Sequence, residues 1–143
     1  DWVSEIVPDR TRFYVLRSGK IQNAPAVDNS YKWAGGGFLS TTEDLAVFAH
    51  AHLFPKLLAN ETVGMLWRTQ EDIAGKRTDY GIGWGSGIDE EGEAWGGHNG
   101  GSVGGSTRLR IYPQHELVIA VAANRTGVNF GRFTTDLIQY WRP

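Results

Sequence analysis

The chain has 143 residues, of which 41% are hydrophobic and 12% aromatic, so it is long enough to bury one core and is not a disordered tail. Fourteen basic and sixteen acidic residues give a formal net charge of -2 without a basic stripe, which excludes the electrostatic footprint of a nucleic-acid-binding protein. The absence of cysteine excludes a disulfide framework and thiolate metal sites, and no apolar run approaches the roughly 18 residues needed to span a bilayer.

Residues 1–79 are predicted to form a helical and loop region. Its first part, residues 1–32, indicates extended segments and turns, with a short hairpin through Tyr14 to Ile21. Ser40-Thr41-Thr42-Glu43 has the pattern of a capping box and predicts a helix that runs to about Phe54. A second short helix is predicted to begin at Asn60. Apolar residues at helical spacing form the inner faces of the two helices: Leu45, Phe48, Ala49 and Leu53, then Val63, Leu66 and Trp67.

Residues 80–143 are predicted to form the strands of a sheet and a closing helix, because the apolar period changes from helical spacing to two. The strand candidates, which indicate an antiparallel meander, are Tyr80–Trp84, Glu93–His98, Thr107–Tyr112 and Leu117–Ala123. The last hairpin is predicted to turn through Pro113 to Glu116. A helix from about Val128 to Trp141 carries an apolar stripe that can cover a sheet face: Phe130, Phe133, Leu137, Ile138 and Trp141. The predicted fold class is α+β.

The run from Gly96 to Ser106 is the most informative stretch of the sequence. It contains six glycines around His98, and because glycine has no side chain, a ligand can approach the backbone closely there. Such a run is typical of a ligand-binding or active site. The alternative is a histidine beside a tight turn whose glycines only permit a positive φ. Since Thr107 to Tyr112 alternates polar and apolar residues, the glycines lead into a strand and not into a phosphate-binding helix.

Three other patterns have weaker interpretations. Gly100 to Gly104 matches the Gly-x-Ser-x-Gly nucleophile elbow, but an elbow needs a helix after its serine, Ser102, and here a strand follows. His50 and His52 are two apart on a predicted helix and point in nearly opposite directions, so they do not form a metal pair. The acidic residues between Asp89 and Glu93 are interpreted as a solvated turn, since the twelve-residue EF-hand pattern is absent.

Two blocks of the sequence resemble serine β-lactamase-like hydrolases, the superfamily of penicillin-binding proteins, class C β-lactamases and related esterases. His98-Asn99-Gly100-Gly101, followed by Gly104 and the strands through Asn124, is similar to the third active-site box and last strands of that superfamily. The block from Asp28 to Thr41 resembles the subgroup of the mitochondrial serine β-lactamase-like protein and its bacterial relatives. The resemblance implies that residues 1–143 are the C-terminal part of a single β-lactamase-like domain.

The resemblance further implies a serine acyl-enzyme mechanism without metal or cofactor. In this family a Ser-x-x-Lys pair supplies nucleophile and base, a tyrosine box assists proton transfer, and the third box forms one wall of the cleft. His98 and Gly101 are then the catalytic candidates, with the Gly101 amide as an oxyanion donor. Asn99, Gly100 and Gly101 are the substrate-binding candidates. An imidazole with the ordinary pKa of about 6.5 is mostly neutral at pH 7, which favours ester or peptide substrates over carboxylate-bearing β-lactams.

The sequence departs from the family pattern because none of its serines is followed three residues later by lysine, and none of its tyrosines begins a Tyr-x-Asn box. We therefore expect a partner, the N-terminal chain of the same precursor, to carry both boxes, and the chain alone to be inactive. The start at Asp1 agrees with a processed or truncated polypeptide. The expected substrate is a small ester, peptide or β-lactam. Two alternatives are a catalytically inactive relative that keeps the cleft as a binding or scaffold surface, and a self-sufficient binding domain whose glycine loop holds a peptide or glycan. The resemblance allows a mitochondrial or a bacterial extracytoplasmic location.

Overall fold

The computed structural model describes residues 2–56 and 58–141. Three α-helices are found there: α1 (Thr42–Leu53), α2 (Asn60–Trp67) and α3 (Gly131–Trp141). Six strands are found in the same part of the chain: β1 (Tyr14–Arg17), β2 (Lys20–Asn23), β3 (Gly85–Ile88), β4 (Ala94–Ser102), β5 (Gly105–Tyr112) and β6 (Leu117–Ala123). Two short 3-10 helices occupy Ser30–Gly35 and Pro113–His115. The predicted α+β class is confirmed.

The strands form two sheets. The first is the predicted hairpin of β1 and β2, with Tyr14 opposite Asn23 and Arg17 opposite Lys20. Its turn residues, Ser18 and Gly19, both have a positive φ, as the tight turns that match strand twist require. The second sheet has the order β3-β4-β5-β6, so each strand pairs with its neighbour in sequence, as the predicted meander requires.

The described chain divides into two compact units, and β4, β5 and β6 each contribute residues to both. One unit consists of the residues up to Thr41, residues 99–107 and the residues from Val121 onward. It contains the β1–β2 hairpin and α3, whose Thr134 and Ile138 are buried. Phe133 and Trp141 of the predicted α3 stripe are exposed, so the stripe is narrower than predicted.

The other unit consists of residues 42–98 and 108–120 and contains α1, α2 and β3. Its core combines Ala49 with Trp84, Leu109 and Ile111, and Leu45 and Leu53 of α1 pack against it. Phe48 lies at the edge of this core, since its side chain is 54% exposed while its ring stacks on Trp84 at 6.0 Å. Thus three of the four predicted inner residues of α1 pack inward and the fourth only flanks the core.

Most predicted boundaries lie close to the observed ones, with two corrections. The Ser40 hydroxyl donates to the Thr41 carbonyl oxygen and α1 begins at Thr42, so the predicted capping role of Ser40 is wrong. The predicted strand Tyr80–Trp84 is also wrong, because that segment is a turn that precedes β3. Gly83 there has a φ of 77°, a conformation that a strand does not contain.

Candidate active site

The glycine run lies on two strands and the turn between them. Strand β4 was predicted to end at His98, but it continues to Ser102 and therefore carries His98, Asn99, Gly100 and Gly101 at consecutive positions. Val103 and Gly104 form a two-residue turn into β5. Pairing between β3 and β4 runs from Ala94 to Gly97, so the registered pairs with β3 stop before the candidate residues begin.

His98 is joined to a residue that the sequence did not single out. Its Nε2 lies 2.6 Å from the hydroxyl of Tyr80, and the two rings meet edge to face with their centroids 5.8 Å apart. The phenol and the imidazole are 18 residues apart in the chain. The glycines at 81 and 83 are the sequence signal of the turn that brings Tyr80 to this position, and the period-two pattern concealed it.

Backbone hydrogen bonds fix the segment around Tyr80. The Tyr80 carbonyl oxygen accepts from the Gln70 N–H at 2.8 Å, and the Thr78 hydroxyl lies between the carbonyl oxygens of Gln70 and Tyr80, at 2.9 Å and 3.1 Å. Two residues later, the Ile82 N–H donates to the Leu66 carbonyl oxygen of α2 at 2.8 Å. The phenol is therefore presented by a segment tied to a helix and to a neighbouring loop.

The glycines beyond His98 have different surroundings. A side chain on Gly100 would collide with the Thr107 side chain of β5, so a glycine is required there by close approach. A Cβ on Gly101 would meet no atom within 4 Å, so the backbone of Gly101 borders open space. The space beside Gly101 is therefore open to a ligand, whereas the space beside Gly100 is filled by the side chain of Thr107.

Ser102, the residue that matches a nucleophile elbow, lies in a different arrangement. Its hydroxyl accepts a hydrogen bond from the side-chain amide of Asn29 at 3.2 Å, and β5 follows the turn after it. A strand-turn-strand setting confirms that this is not an elbow, which needs a helix after the serine. The contact also joins the block around Asn29 to the end of the glycine run, both of which carried the family resemblance.

Other candidate ligands do not assemble. His52 Nδ1 contacts the Phe48 carbonyl oxygen at 2.9 Å, and its ring lies against Trp84. Asp89 accepts the N–H groups of Glu91 and Glu93, which is the turn predicted for the acidic cluster. Among residues 2–56 and 58–141 no group of three histidines, cysteines or carboxylates is placed to hold a metal ion.

Three groups have perturbed pKa values. Hydrogen bonds from Ser30 lower the pKa of the Asp28 carboxyl group, and they tie down the start of the first motif block. Burial lowers the pKa of Arg110 to about 10, so this guanidinium, which lies 3.9 Å over the Trp95 ring, stays charged at pH 7. Burial and then the Asp89 carboxylate raise the pKa of the Tyr112 phenol.

Comparison with known proteins identifies the family. Residues 3–139 match the family model described as Beta-lactamase. The chain belongs to the β-lactamase family. Over 137 residues it is 36% identical to the serine beta-lactamase-like protein LACTB, mitochondrial, of mouse and of human. Each alignment covers 76% of this chain and 24% or 25% of the relative, so the chain spans about a quarter of the length of these curated relatives.

Solved structures show the same fold. The penicillin-binding protein of Bacillus halodurans superposes with a TM-score of 0.74 over 97% of this chain and 43% of the other, at 15% identity. The family model and the LACTB relatives confirm the superfamily of β-lactamase-like serine hydrolases that the two motif blocks predicted. No helix in the described part of the chain is long and apolar enough to cross a membrane.

Proposed function

We propose that this chain is the C-terminal portion of a serine hydrolase that acts through an acyl-enzyme. His98, Asn99, Gly100 and Gly101 form one wall of its substrate cleft, and the Gly101 amide donates to the oxyanion. The observation that carries the proposal is that Gly101 lies on β4 with open space beside its backbone. Membership of the β-lactamase family supplies the reaction class.

The direction of the Gly101 amide follows from the hairpin. Neighbouring residues of an antiparallel strand point their N–H groups to opposite edges. The two-residue turn at Val103 and Gly104 makes Ser102 and Gly105 the closing pair, so Ser102 and Gly100 bond toward β5. The collision that a Gly100 side chain would make with Thr107 agrees with this register. The Gly101 N–H then points away from β5, toward the edge where an oxyanion can be bound.

The nucleophile is supplied from outside these 143 residues. No serine of the chain has a lysine three positions later, and the chain corresponds to about a quarter of its curated relatives. We place the Ser-x-x-Lys pair and the tyrosine box in an N-terminal segment of the same precursor, which docks with this chain. Because an imidazole, which is not a permanent cation, stands where a lysine would orient a carboxylate, small esters or peptides are the favoured substrates.

Labelling with a fluorophosphonate probe tests the reaction class. The full-length protein or assembly is treated with the probe, digested and analysed by mass spectrometry. We expect the label on a serine followed three residues later by lysine, outside this chain. Absence of labelling supports an inactive binding or scaffold protein, and a label on Ser102 contradicts the proposal. Faster cleavage of penicillins than of p-nitrophenyl esters overturns the substrate ranking.

A pair of substitutions at one position tests the oxyanion role. Gly101→Pro removes the N–H, whereas Gly101→Ala keeps it and adds only a methyl group in open space. Loss of an oxyanion donor lowers kcat by about 10²–10³-fold. The kcat of Gly101→Pro is therefore expected to be lower than that of Gly101→Ala by that factor. Equal kcat values for the two variants, with equal unfolding midpoints in urea, contradict the assignment.

A further inference from the structure

The side chains of Tyr80 and His98 form a close polar contact. The proposed reaction gives a role to His98 but none to this contact. The Tyr80 hydroxyl and His98 Nε2 are 2.6 Å apart, at the short end of the hydrogen-bond range. The two ring planes are nearly perpendicular, with an interplanar angle of 77°, in an edge-to-face arrangement. The contact therefore constrains both the position and the rotation of the imidazole ring.

Donor strength decides the direction of this hydrogen bond. A neutral imidazole has one N–H and one acceptor nitrogen, and which nitrogen accepts is set by its partners. A phenol, with a pKa of about 10, is a far stronger donor than a neutral imidazole N–H and a weak acceptor. The favoured arrangement has the Tyr80 O–H donating to Nε2, which leaves the ring proton on Nδ1.

The support behind Tyr80 makes this a preorganised contact. The Gln70 N–H donates to the Tyr80 carbonyl oxygen at 2.8 Å. A bridge joins Tyr80 to Gly85 at the start of β3, and the same strand pairs with β4 one residue before His98. Since both residues are tied to one strand by backbone pairing, the backbone positions that carry the phenol and the imidazole are held close together.

We propose that Tyr80 is a positioning residue that holds His98 in the Nδ1–H tautomer and in a fixed ring orientation. The role in turnover rests on the proposed function, but the tautomer itself does not. A ring whose Nε2 accepts the hydrogen bond of the Tyr80 hydroxyl is held in one orientation. This deepens the preference for uncharged acyl substrates, because no permanent cation is available at this position.

The tautomer is measured by long-range ¹H–¹⁵N NMR of the full-length protein labelled with ¹⁵N-histidine, at a pH where the imidazole is neutral. The His98 signals are assigned by their loss in His98→Gln. We expect Nε2 to show the shift of an acceptor nitrogen and Nδ1 that of a protonated one. The wild-type spectrum alone decides this point, and a protonated Nε2 overturns the proposal.

Tyr80→Phe tests whether the phenol causes the tautomer, with Tyr140→Phe as the control because Tyr140 is an 87% exposed tyrosine on α3. Tyr80→Phe is expected to produce a mixture of tautomers and Tyr140→Phe to leave the spectrum unchanged. An unchanged His98 tautomer in a folded Tyr80→Phe protein contradicts the proposal.

In the active assembly kcat is expected to fall about tenfold for Tyr80→Phe with little change in KM. If the assembly has no hydrolase activity, the proposed function fails while the NMR result still judges the tautomer.

Discussion

At the scale of single residues, the buried phenol of Tyr112 links stability to pH. Its side chain is 3% exposed, and burial and the Asp89 carboxylate raise its pKa, while Arg110 and Arg108 oppose that shift. The unfolded chain releases this proton near the ordinary value of 10.0, before the folded chain does. Above that pH the unfolded state binds fewer protons than the folded state, so stability is full below pH 10 and is lost as the pH rises further.

Tyr112→Phe removes this loss. The free energy of unfolding, measured by urea titration from pH 8 to pH 11, is expected to fall less steeply above pH 10 in Tyr112→Phe than in the wild type. Tyr140→Phe serves as the control and should retain the wild-type slope, since that side chain is exposed. Parallel pH profiles for wild type and Tyr112→Phe would show that the phenol does not titrate differently on folding.

Gly104 and Gly127 both have a positive φ, but only at Gly104 would an added side chain also collide with a neighbour. Gly104 and Gly127 have φ values of 82° and 72°, so alanine at either position is strained by about 1–2 kcal/mol. A side chain on Gly104 would also collide with Phe13, whereas one on Gly127 would meet no atom within 4 Å. Overpacking adds about 1–3 kcal/mol, so Gly104→Ala is expected to lose more unfolding free energy than Gly127→Ala. Equal losses in urea titrations would exclude the Phe13 contact.

At the scale of elements, α1 depends on one small residue of its inner face. Ala49 is fully buried against Trp84 and Ile111, while Ala51, two positions later, is exposed. Ala49→Leu forces a larger side chain into this core and is expected to lower the unfolding free energy by about 1–3 kcal/mol. Ala51→Leu is the matched control, with an expected change within about 0.5 kcal/mol. A similar loss from both substitutions in urea titrations would contradict the packing of α1.

The elements that the sequence predicts well are those with a strong local signal. The start of α2 at Asn60 and the bounds of β6, Leu117–Ala123, are found as predicted, because several residues of one period lie within each segment. The segment Tyr80–Trp84 was misassigned because five residues are too few to separate strand alternation from a glycine turn. The extension of β4 through the glycines was missed for a related reason, since glycine disfavours strands and only pairing with β5 overrides that preference.

Some residues of the candidate site could be predicted from the sequence, and others could be found only from the fold. Motif resemblance named His98 and Gly101, because a short sequence pattern can be recognised without knowledge of the fold. Tyr80 was missed as the partner of His98, since contacts across 18 residues depend on how the turn and strand fold. The difference between Gly100 and Gly101 was likewise invisible in the letters, because only the fold shows which of them faces Thr107.

At the scale of the whole molecule, large apolar side chains remain on the surface. Tyr31, Trp33 and Phe38, within or beside the motif block from Asp28 to Thr41, are 75%, 68% and 71% exposed. Scattered apolar side chains are normal on a protein surface, but three large aromatic side chains within eight residues are typical of a surface that a partner covers. The proposed N-terminal segment of the precursor is the partner that we expect to cover this surface.

The isolated 143-residue chain exposes this aromatic surface to water. We expect the 15.8 kDa chain to self-associate in sedimentation velocity experiments and to bind a hydrophobic dye, because the aromatic surface and the strand edges meet only other copies. Co-expression with the N-terminal segment should give one complex, seen as two masses by intact-mass analysis, that no longer binds the dye.

The double substitution Trp33→Ser with Phe38→Ser is expected to reduce association of the isolated chain, whereas Ile73→Ser, at a separate exposed residue, should not. A soluble monomer that neither associates nor binds the dye would refute the need for a completing partner, since its exposed surface would then be stable in water.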